Sequence, residues 1–356
     1  MNIKAIGRLG RRHLATVLPE AIYLGAGIDT TRPTEVRASL TERCNYRCLQ
    51  CACWRFDQYR EMPIDKWKAA LTSIKEFLGS YTIQFVGGEP FVKKGFLDLL
   101  EFCRDESIDA GVITNGSAFA GDRIVERFVA ARPLKLEISV DGATPEIHDR
   151  LRGAPGSLER ISAGLLKLRE AQRRQAVRFP IRIKATLNAV NFRSMPDLVT
   201  WAVERGVTSI DFEPIREWTD ESRGELWPTE EELGELESVL DLLLKMQAAG
   251  LPIESSPGRL LGMLPHFRRE PVPLDVATCR VGLRVFGINP EGIVRSCDRF
   301  APLGDLTRQS AREIWTGATA AEVRRGTVAC TRGCAFGCMA TKSLVQKIRR
   351  GLMVFG

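Results

Sequence analysis

The sequence predicts an α/β protein in which a parallel sheet or open barrel of six strands, with helices outside it, is followed by a small cysteine-rich C-terminal unit. Three observations carry this prediction. Short β-branched runs alternate with helical stretches from about residue 35 to residue 215. Beyond Cys279 the character changes to short strands, turns and cysteines. The length of 356 residues suits two domains, or one large α/β domain with an appendage.

In chain order, residues 1–34 form a basic amphipathic extension, in which Ile3, Ile6, Leu9, Leu14 and Val17 alternate with Lys4, Arg8, Arg11 and Arg12. The core spans residues 35–215. Its strand candidates are Val36–Leu40, Thr82–Val86, Ala110–Thr114, Lys135–Val140, Ile181–Leu187 and Ser209–Pro214. Between them Lys66–Leu78, Gly95–Glu106, Asp122–Ala131, Ser157–Arg173 and Met195–Arg205 repeat apolar residues at helical spacing. A helical linker covers residues 216–275, where Pro228–Ala249 reads as one longer helix before a proline-rich stretch. The cysteine-rich unit covers residues 276–341. The tail, residues 342–356, repeats the basic amphipathic theme with Leu344, Val345, Ile348 and Leu352.

Composition bounds the function. Hydrophobic residues at 44% and charged residues at 27% are those of a folded globular chain, and no stretch approaches the roughly 20 apolar residues of a spanning helix. The net charge of +7 resides in the two termini, so the body is neutral and no nucleic-acid partner is expected. Ten cysteines are too few for a secreted disulfide scaffold, and the N-terminus lacks the succession of a signal peptide. A reducing cytoplasm is expected, where clustered cysteines read as metal or cluster ligands. The basic termini suit peripheral contact with a membrane or an acidic partner.

The first strand runs into Cys44, Cys48 and Cys51, a C-x3-C-x2-C spacing at the strand end where α/β sites are built. Three thiolates this close repel one another unless a strongly positive centre holds them. Three ligands on a 4Fe-4S cube leave one iron open to a group that is not protein. The alternative, a zinc site, needs a fourth ligand; the chain has only three histidines, His13, His148 and His266, none near this cluster in sequence.

Through Cys44, Cys48 and Cys51, and through Gly87-Gly88-Glu89-Pro90 at the end of the second strand, the sequence resembles the radical SAM enzymes. The resemblance implies a partial (β/α)6 barrel, a 4Fe-4S cluster on the three cysteines and S-adenosylmethionine on its open iron. Gly87, Gly88, Glu89 and Pro90 would then meet the methionyl amino group, with Glu89 accepting from an ammonium. Asn115, in Thr114-Asn115-Gly116, would touch cofactor or substrate, and Ser139 and Asp141, in Ser139-Val140-Asp141-Gly142, would lie near the ribose. As bare sequence, these strand ends also suit ordinary turns. Gln50 stands where the family often has an aromatic residue against the adenine. Arg152, in His148-Asp149-Arg150-Leu151-Arg152-Gly153, reads either as reaching a carboxylate or, the favoured reading, as solvating a loop. Cys103 reads as a core thiol, and Cys53 has no assigned role.

Cys279 is followed after 17 residues by Cys297, then by Leu303-Gly304-Asp305-Leu306, Ile314-Trp315 and Cys330-x3-Cys334-x3-Cys338. This resembles the SPASM/twitch auxiliary-cluster domain. With five cysteines, the resemblance implies one auxiliary 4Fe-4S cluster on Cys279, Cys297 and two of Cys330, Cys334 and Cys338. The spare thiol would be a bystander or a hydrogen-atom donor. A zinc ribbon is the plain structural alternative.

The activity implied is reductive cleavage of S-adenosylmethionine to a 5'-deoxyadenosyl radical that abstracts a substrate hydrogen, with the auxiliary cluster aiding oxidation or binding of the substrate. Expected partners are an electron donor such as flavodoxin or ferredoxin and a substrate peptide or small metabolite, modified by dehydrogenation, epimerisation or cross-linking. The segment before the first strand is too short for a fused peptide-recognition domain. The rival readings are a membrane-surface enzyme acting on a lipid-linked substrate and a non-enzymatic iron-sulfur or zinc-binding docking protein. No catalytic side chain beyond these ligands is legible.

Overall fold

The structure, a computed structural model, describes residues 3–55, 60–216, 224–272, 279–331 and 334, with side chains from His13 onward. Six parallel strands form the core: β1 (Glu35–Ser39), β2 (Thr82–Val86), β3 (Asp109–Thr114), β4 (Lys135–Ser139), β5 (Ile181–Leu187) and β6 (Ser209–Pro214). They pair in sequence order, and β6 does not close onto β1, so the barrel is partial as expected. An N-terminal helix α1 (Ile3–Ala26) precedes them. Helices α2 (Ile64–Leu78), α3 (Phe96–Asp105), α4 (Asp122–Ala130), α5 (Pro145–Arg152), α6 (Ser157–Arg174) and α7 (Met195–Glu204) connect them. The linker holds α8 (Leu233–Ala248), α9 (Pro257–Leu261) and α10 (Met263–Phe267).

Alternation along each strand sorts the two faces. Val36, Ala38, Ile83, Phe85, Val112, Leu136, Ile138 and Ile183 are buried in one continuous core with Trp67, Leu71, Phe96, Phe128 and Leu165 from the helices. The opposite, inner face is polar and charged. Arg182 Nη1 lies 2.8 Å from Glu137 and Lys184 Nζ 2.9 Å from Glu213. Arg259 of α9 reaches across to Asp211 at 2.9 Å and Glu213 at 2.7 Å. These pairs neutralise charges that would be costly to leave alone between the sheet and α9.

The C-terminal unit contains α11 (Val281–Arg284), β7 (Val285–Ile288), β8 (Ile293–Arg295), β9 (Gly304–Asp305), α12 (Ala311–Thr316) and α13 (Ala318–Val328). Strand β7 pairs parallel with β1, Glu35 opposite Val285, and β8 and β9 add antiparallel. The change of character near residue 275 is therefore no break in the sheet, which runs through nine strands.

The N-terminal extension is not free along its length. Glu20, 2% exposed, takes the guanidinium of Arg284 (Nη2 at 2.6 Å) and that of Arg280 at 3.0 Å. Further on, Arg324 pairs with Asp29 at 2.6 Å, Trp315 Nε1 donates to the Thr31 carbonyl and Thr34 N to that of Arg284. Residues 20–34 thus strap the C-terminal unit to the barrel. One element was misread: the stretch around Arg152 is a helix, α5, and not a loop. Its signals are Thr144 before Pro145 at the first helical position, and Gly153 at its end with φ +58°. The tail after Cys334 lies outside the described residues.

Replacing Glu20 by Ala leaves two guanidinium groups without their shared carboxylate, one of them buried. This is expected to cost about 3 kcal/mol of stability. Glu170→Ala, which removes the exposed pair with Arg173, should cost under about 0.5 kcal/mol. Urea unfolding monitored by circular dichroism measures both; equal midpoints for the two variants would contradict the strap.

Candidate metal centre and cofactor cleft

The loop after β1 carries Cys44, Cys48 and Cys51, which pack with Tyr46 and Ala154 as one small cluster. Cys48 is buried, while Cys44 and Cys51 are half-buried. Burial raises the Cys44 thiol and pushes Cys48 up to about 11. Thiols so placed become thiolates when a strongly positive centre holds them. A hydrogen bond from the Cys53 thiol to the Cys51 sulfur favours the Cys51 thiolate and places Cys53 beside the three. Cys103 is fully buried in α3, as a core thiol should be.

This loop has no regular structure of its own, so neighbouring strand ends hold it. Gly88 N donates to the Thr41 carbonyl at 2.7 Å, and Glu89 N to that of Arg43 at 2.9 Å. A Cβ at Gly88 would meet the Arg43 carbonyl oxygen at 2.3 Å and that of Glu42 at 2.5 Å. Gly87, at φ +140°, is equally intolerant. The glycines of Gly-Gly-Glu-Pro therefore serve the approach of one protein backbone to another.

Glu89 holds backbone to backbone in the same sense. Its carboxylate is 1% exposed and accepts from Phe91 N at 3.1 Å, Thr114 Oγ1 at 2.8 Å and Asn115 N at 2.7 Å. Burial outweighs these donors and raises it to about 7. It braces the ends of β2 and β3, with three of its acceptor positions engaged by protein donors. Pro90 opens the short turn that Glu89 caps. Asn115 donates to Asn45 Oδ1 at 2.9 Å and sits 3.9 Å from Cys44 Sγ, which ties the end of β3 to the cysteine loop.

Asp141 is likewise engaged by protein groups. It is fully buried and accepts from Thr186 N at 2.8 Å and Gln50 Nε2 at 2.5 Å, while Arg152 Nε lies 2.7 Å away. Ser139 remains half-buried at the end of β4, paired in register with Lys184. Arg152 follows the less favoured of its two readings: instead of solvating a loop, its guanidinium is buried against the carboxylate of Asp141 with Nη1 4.0 Å from Cys48 Sγ. Gln50 turns towards Asp141, which accounts for a polar residue at that position.

In the C-terminal unit Cys279 is buried with Val281 and Val285, and Cys297, Cys330 and Cys334 pack against them. Four of the five predicted cysteines therefore gather; Cys338 lies outside the described residues. Among the described residues no three thiol, imidazole or carboxylate groups are close enough to share one ion. A cluster gives each thiolate its own iron, so the thiols need only surround it. Sulfur-only donor sets of three and four, with no histidine among them, fit two such clusters. A cleft of about 320 Å³ opens beside the first set, lined by Arg43, Cys44, Asn45, Arg47, Trp54 and Val92. A larger hollow, about 440 Å³, lies between α4 and α6 and holds none of these residues.

A partial parallel barrel with a thiol-rich loop after its first strand, and four more thiols in an appended unit, is the architecture of an iron-sulfur protein. The chain belongs to the radical SAM superfamily: residues 38–182 match the family model of that description, and residues 279–339 match SPASM, an iron-sulfur cluster-binding domain. An AdoMet-dependent heme synthase of Methanosarcina barkeri is 26% identical over 81% of this chain and 84% of its own. A PqqA peptide cyclase of Bradyrhizobium diazoefficiens is 23% identical over 83% and 76%. The crystal structure of Streptococcus suis SuiB bound to S-adenosylmethionine superposes with a TM-score of 0.67 at 15% identity, over 86% of this chain and 71% of that one. The protein is a radical SAM enzyme whose cofactors are 4Fe-4S clusters and S-adenosylmethionine. When bound, they supply a 5'-deoxyadenosyl radical that abstracts a substrate hydrogen.

If Gly88 is the close approach that sets the cysteine loop, Gly88→Ala displaces the loop and leaves the C-terminal thiols alone. Anaerobic reconstitution should then give about four irons per chain instead of about eight. Wild-type iron content in this variant would contradict the role given to Gly88.

Proposed function

We propose that Cys44, Cys48 and Cys51 hold the cluster that binds S-adenosylmethionine, that Cys279, Cys297, Cys330 and Cys334 hold an auxiliary cluster, and that the enzyme oxidatively modifies a peptide. The observation that carries the reading is the grouping of the thiols into these two sets, one at the barrel's strand ends and one beside a strand of the same sheet. The polar inner face supports a substrate rich in hydrogen-bonding groups of both charges. Lys184 and Glu213, one quarter and one fifth exposed, are the charged pair a substrate would meet there. Relatives named as peptide cyclases, matched over three quarters or more of both chains, support a peptide, while the heme synthase matched as fully keeps a small molecule as the alternative substrate class.

The residues divide the work. Asn115, Glu89 and the backbone of Gly87 and Gly88 fix the cysteine loop against the strand ends, and Ser139 is offered to the cofactor or substrate. The C-terminal unit covers the edge of β1 and holds its thiols in fixed relation to the barrel, so that a substrate can be oriented against the reacting carbon. A one-electron donor of the flavodoxin or ferredoxin type completes the system. Reduction with dithionite in the presence of S-adenosylmethionine should yield 5'-deoxyadenosine from the wild type and from Cys297→Ala, but not from Cys44→Ala. Lys184→Ala should keep this uncoupled cleavage while losing substrate turnover at least tenfold. Cleavage by Cys44→Ala would refute the assignment of the first site, and unchanged turnover by Lys184→Ala the placement of the substrate.

A second reading, peripheral attachment to an anionic membrane, is favoured by one observation. Leu14, Leu18 and Ile28 are 65%, 61% and 59% exposed on and just after α1, a helix that also carries Lys4, Arg8, Arg11 and Arg12. No helix among the described residues is long and apolar enough to cross a membrane. Co-sedimentation with phosphatidylserine vesicles should fall at least tenfold in the Leu14→Glu/Leu18→Glu double variant. Wild-type protein that stays in the supernatant would end this reading.

A further inference from the structure

We propose that Arg152 is the counter-charge of the open cluster and sets its electron affinity, with Asp141 as the opposing charge that trims the effect. This rests on the assignment of Cys44, Cys48 and Cys51 to that cluster.

The end of α5 is built against the cysteine loop. Leu49 N donates to the Leu151 carbonyl at 2.9 Å, and Ala154 packs with Tyr46 and Cys48. Gly153, at φ +58°, comes so close that a Cβ there would meet the Arg47 carbonyl oxygen at 2.4 Å. The contacts leave the guanidinium between them little room to leave. It is 11% exposed, with Nη1 4.0 Å from Cys48 Sγ and Nε 2.7 Å from Asp141 Oδ2. Asp141 is held in turn by Gln50, itself part of the cysteine loop, and by Thr186 of β5.

The redox step is simple to balance. One electron enters the cluster from the external one-electron donor, no bond forms or breaks and no proton moves, so the product carries one more negative charge. Cluster potentials follow net charge and hydrogen bonds to the sulfurs, and in a buried site of low dielectric a fixed charge acts strongly. A cation beside a ligating sulfur favours the reduced state. A carboxylate on the same guanidinium, ion-paired with the nitrogen other than the one nearest the sulfur, opposes it more weakly. A clamp that merely held the loop in place would not depend on the sign of either charge.

The test is an anaerobic redox titration of the reconstituted full chain, followed by electron paramagnetic resonance, with the open cluster identified as the signal that changes when S-adenosylmethionine is added. At wild-type iron content, Arg152→Gln should lower the midpoint potential, Asp141→Asn should raise it and Arg152→Lys should stay near the wild type. Shifts of the same sign in Arg152→Gln and Asp141→Asn, or no shift in either, overturn the proposal. Should Arg152→Gln fail to hold iron, Asp141→Asn decides alone, since its potential must rise. Loss of the open cluster from all three variants would mark the group as a clamp only and also overturn it. A wild type with no signal responsive to S-adenosylmethionine would instead refute the cluster assignment beneath it.

Discussion

The structure depends on one requirement, that three thiol side chains on an irregular loop be held together in a half-buried space where they would otherwise repel as thiolates or stay protonated. Nothing in a loop of twelve or so residues fixes such a shape from within, because ordering each residue costs roughly 1–2 kcal/mol of backbone entropy. The ordering is imposed from outside. Gly88 and Glu89 bond to the backbone of Thr41 and Arg43, Asn115 reaches Asn45, and Leu151 accepts from Leu49. Three elements of a rigid sheet and helix system thereby define where the sulfurs sit.

Several polar residues near the site owe their places to this scaffold. Glu89 and Asp141 are buried carboxylates that accept from protein donors, and each joins two strand ends: β2 to β3 in one case, β4 to β5 in the other. The inner face beneath them is lined by paired charges, with apolar packing kept to the outer face against the helices. The second set of thiols is placed by the same sheet, because β7 hydrogen-bonds to β1, the strand that launches the cysteine loop. The strap of residues 20–34, with Glu20 between Arg280 and Arg284, holds that arrangement from the other side, and Arg280 immediately follows the ligand candidate Cys279.

Much of this was legible in the sequence, for reasons that differ by element. The six strands were found because burial of one face leaves a period-two pattern, and the thiols because their spacing is local. Long-range partners were not legible. Nothing near Asp141 in the chain announces Gln50, 91 residues away, or Thr186, 45 residues away. The same holds for Glu20 and Arg284, 264 residues apart. A polar residue at a strand end looks alike whether it faces a ligand or a buried donor, so the protein partners of Glu89 and Asp141 are not legible there. For Arg152 a nearer signal exists: the Thr-Pro start and glycine stop of α5 mark a helix, and a helix puts the guanidinium against the loop.

The account stands on two separate clusters of different kind, one with an iron open to the cofactor and one fully ligated by protein. The most direct measurement is electron paramagnetic resonance of the dithionite-reduced, reconstituted chain with and without S-adenosylmethionine. The account predicts two overlapping 4Fe-4S signals, of which one changes on addition of the cofactor and the other does not. A chain that binds zinc and gives no signal, or two signals both indifferent to S-adenosylmethionine, would contradict it.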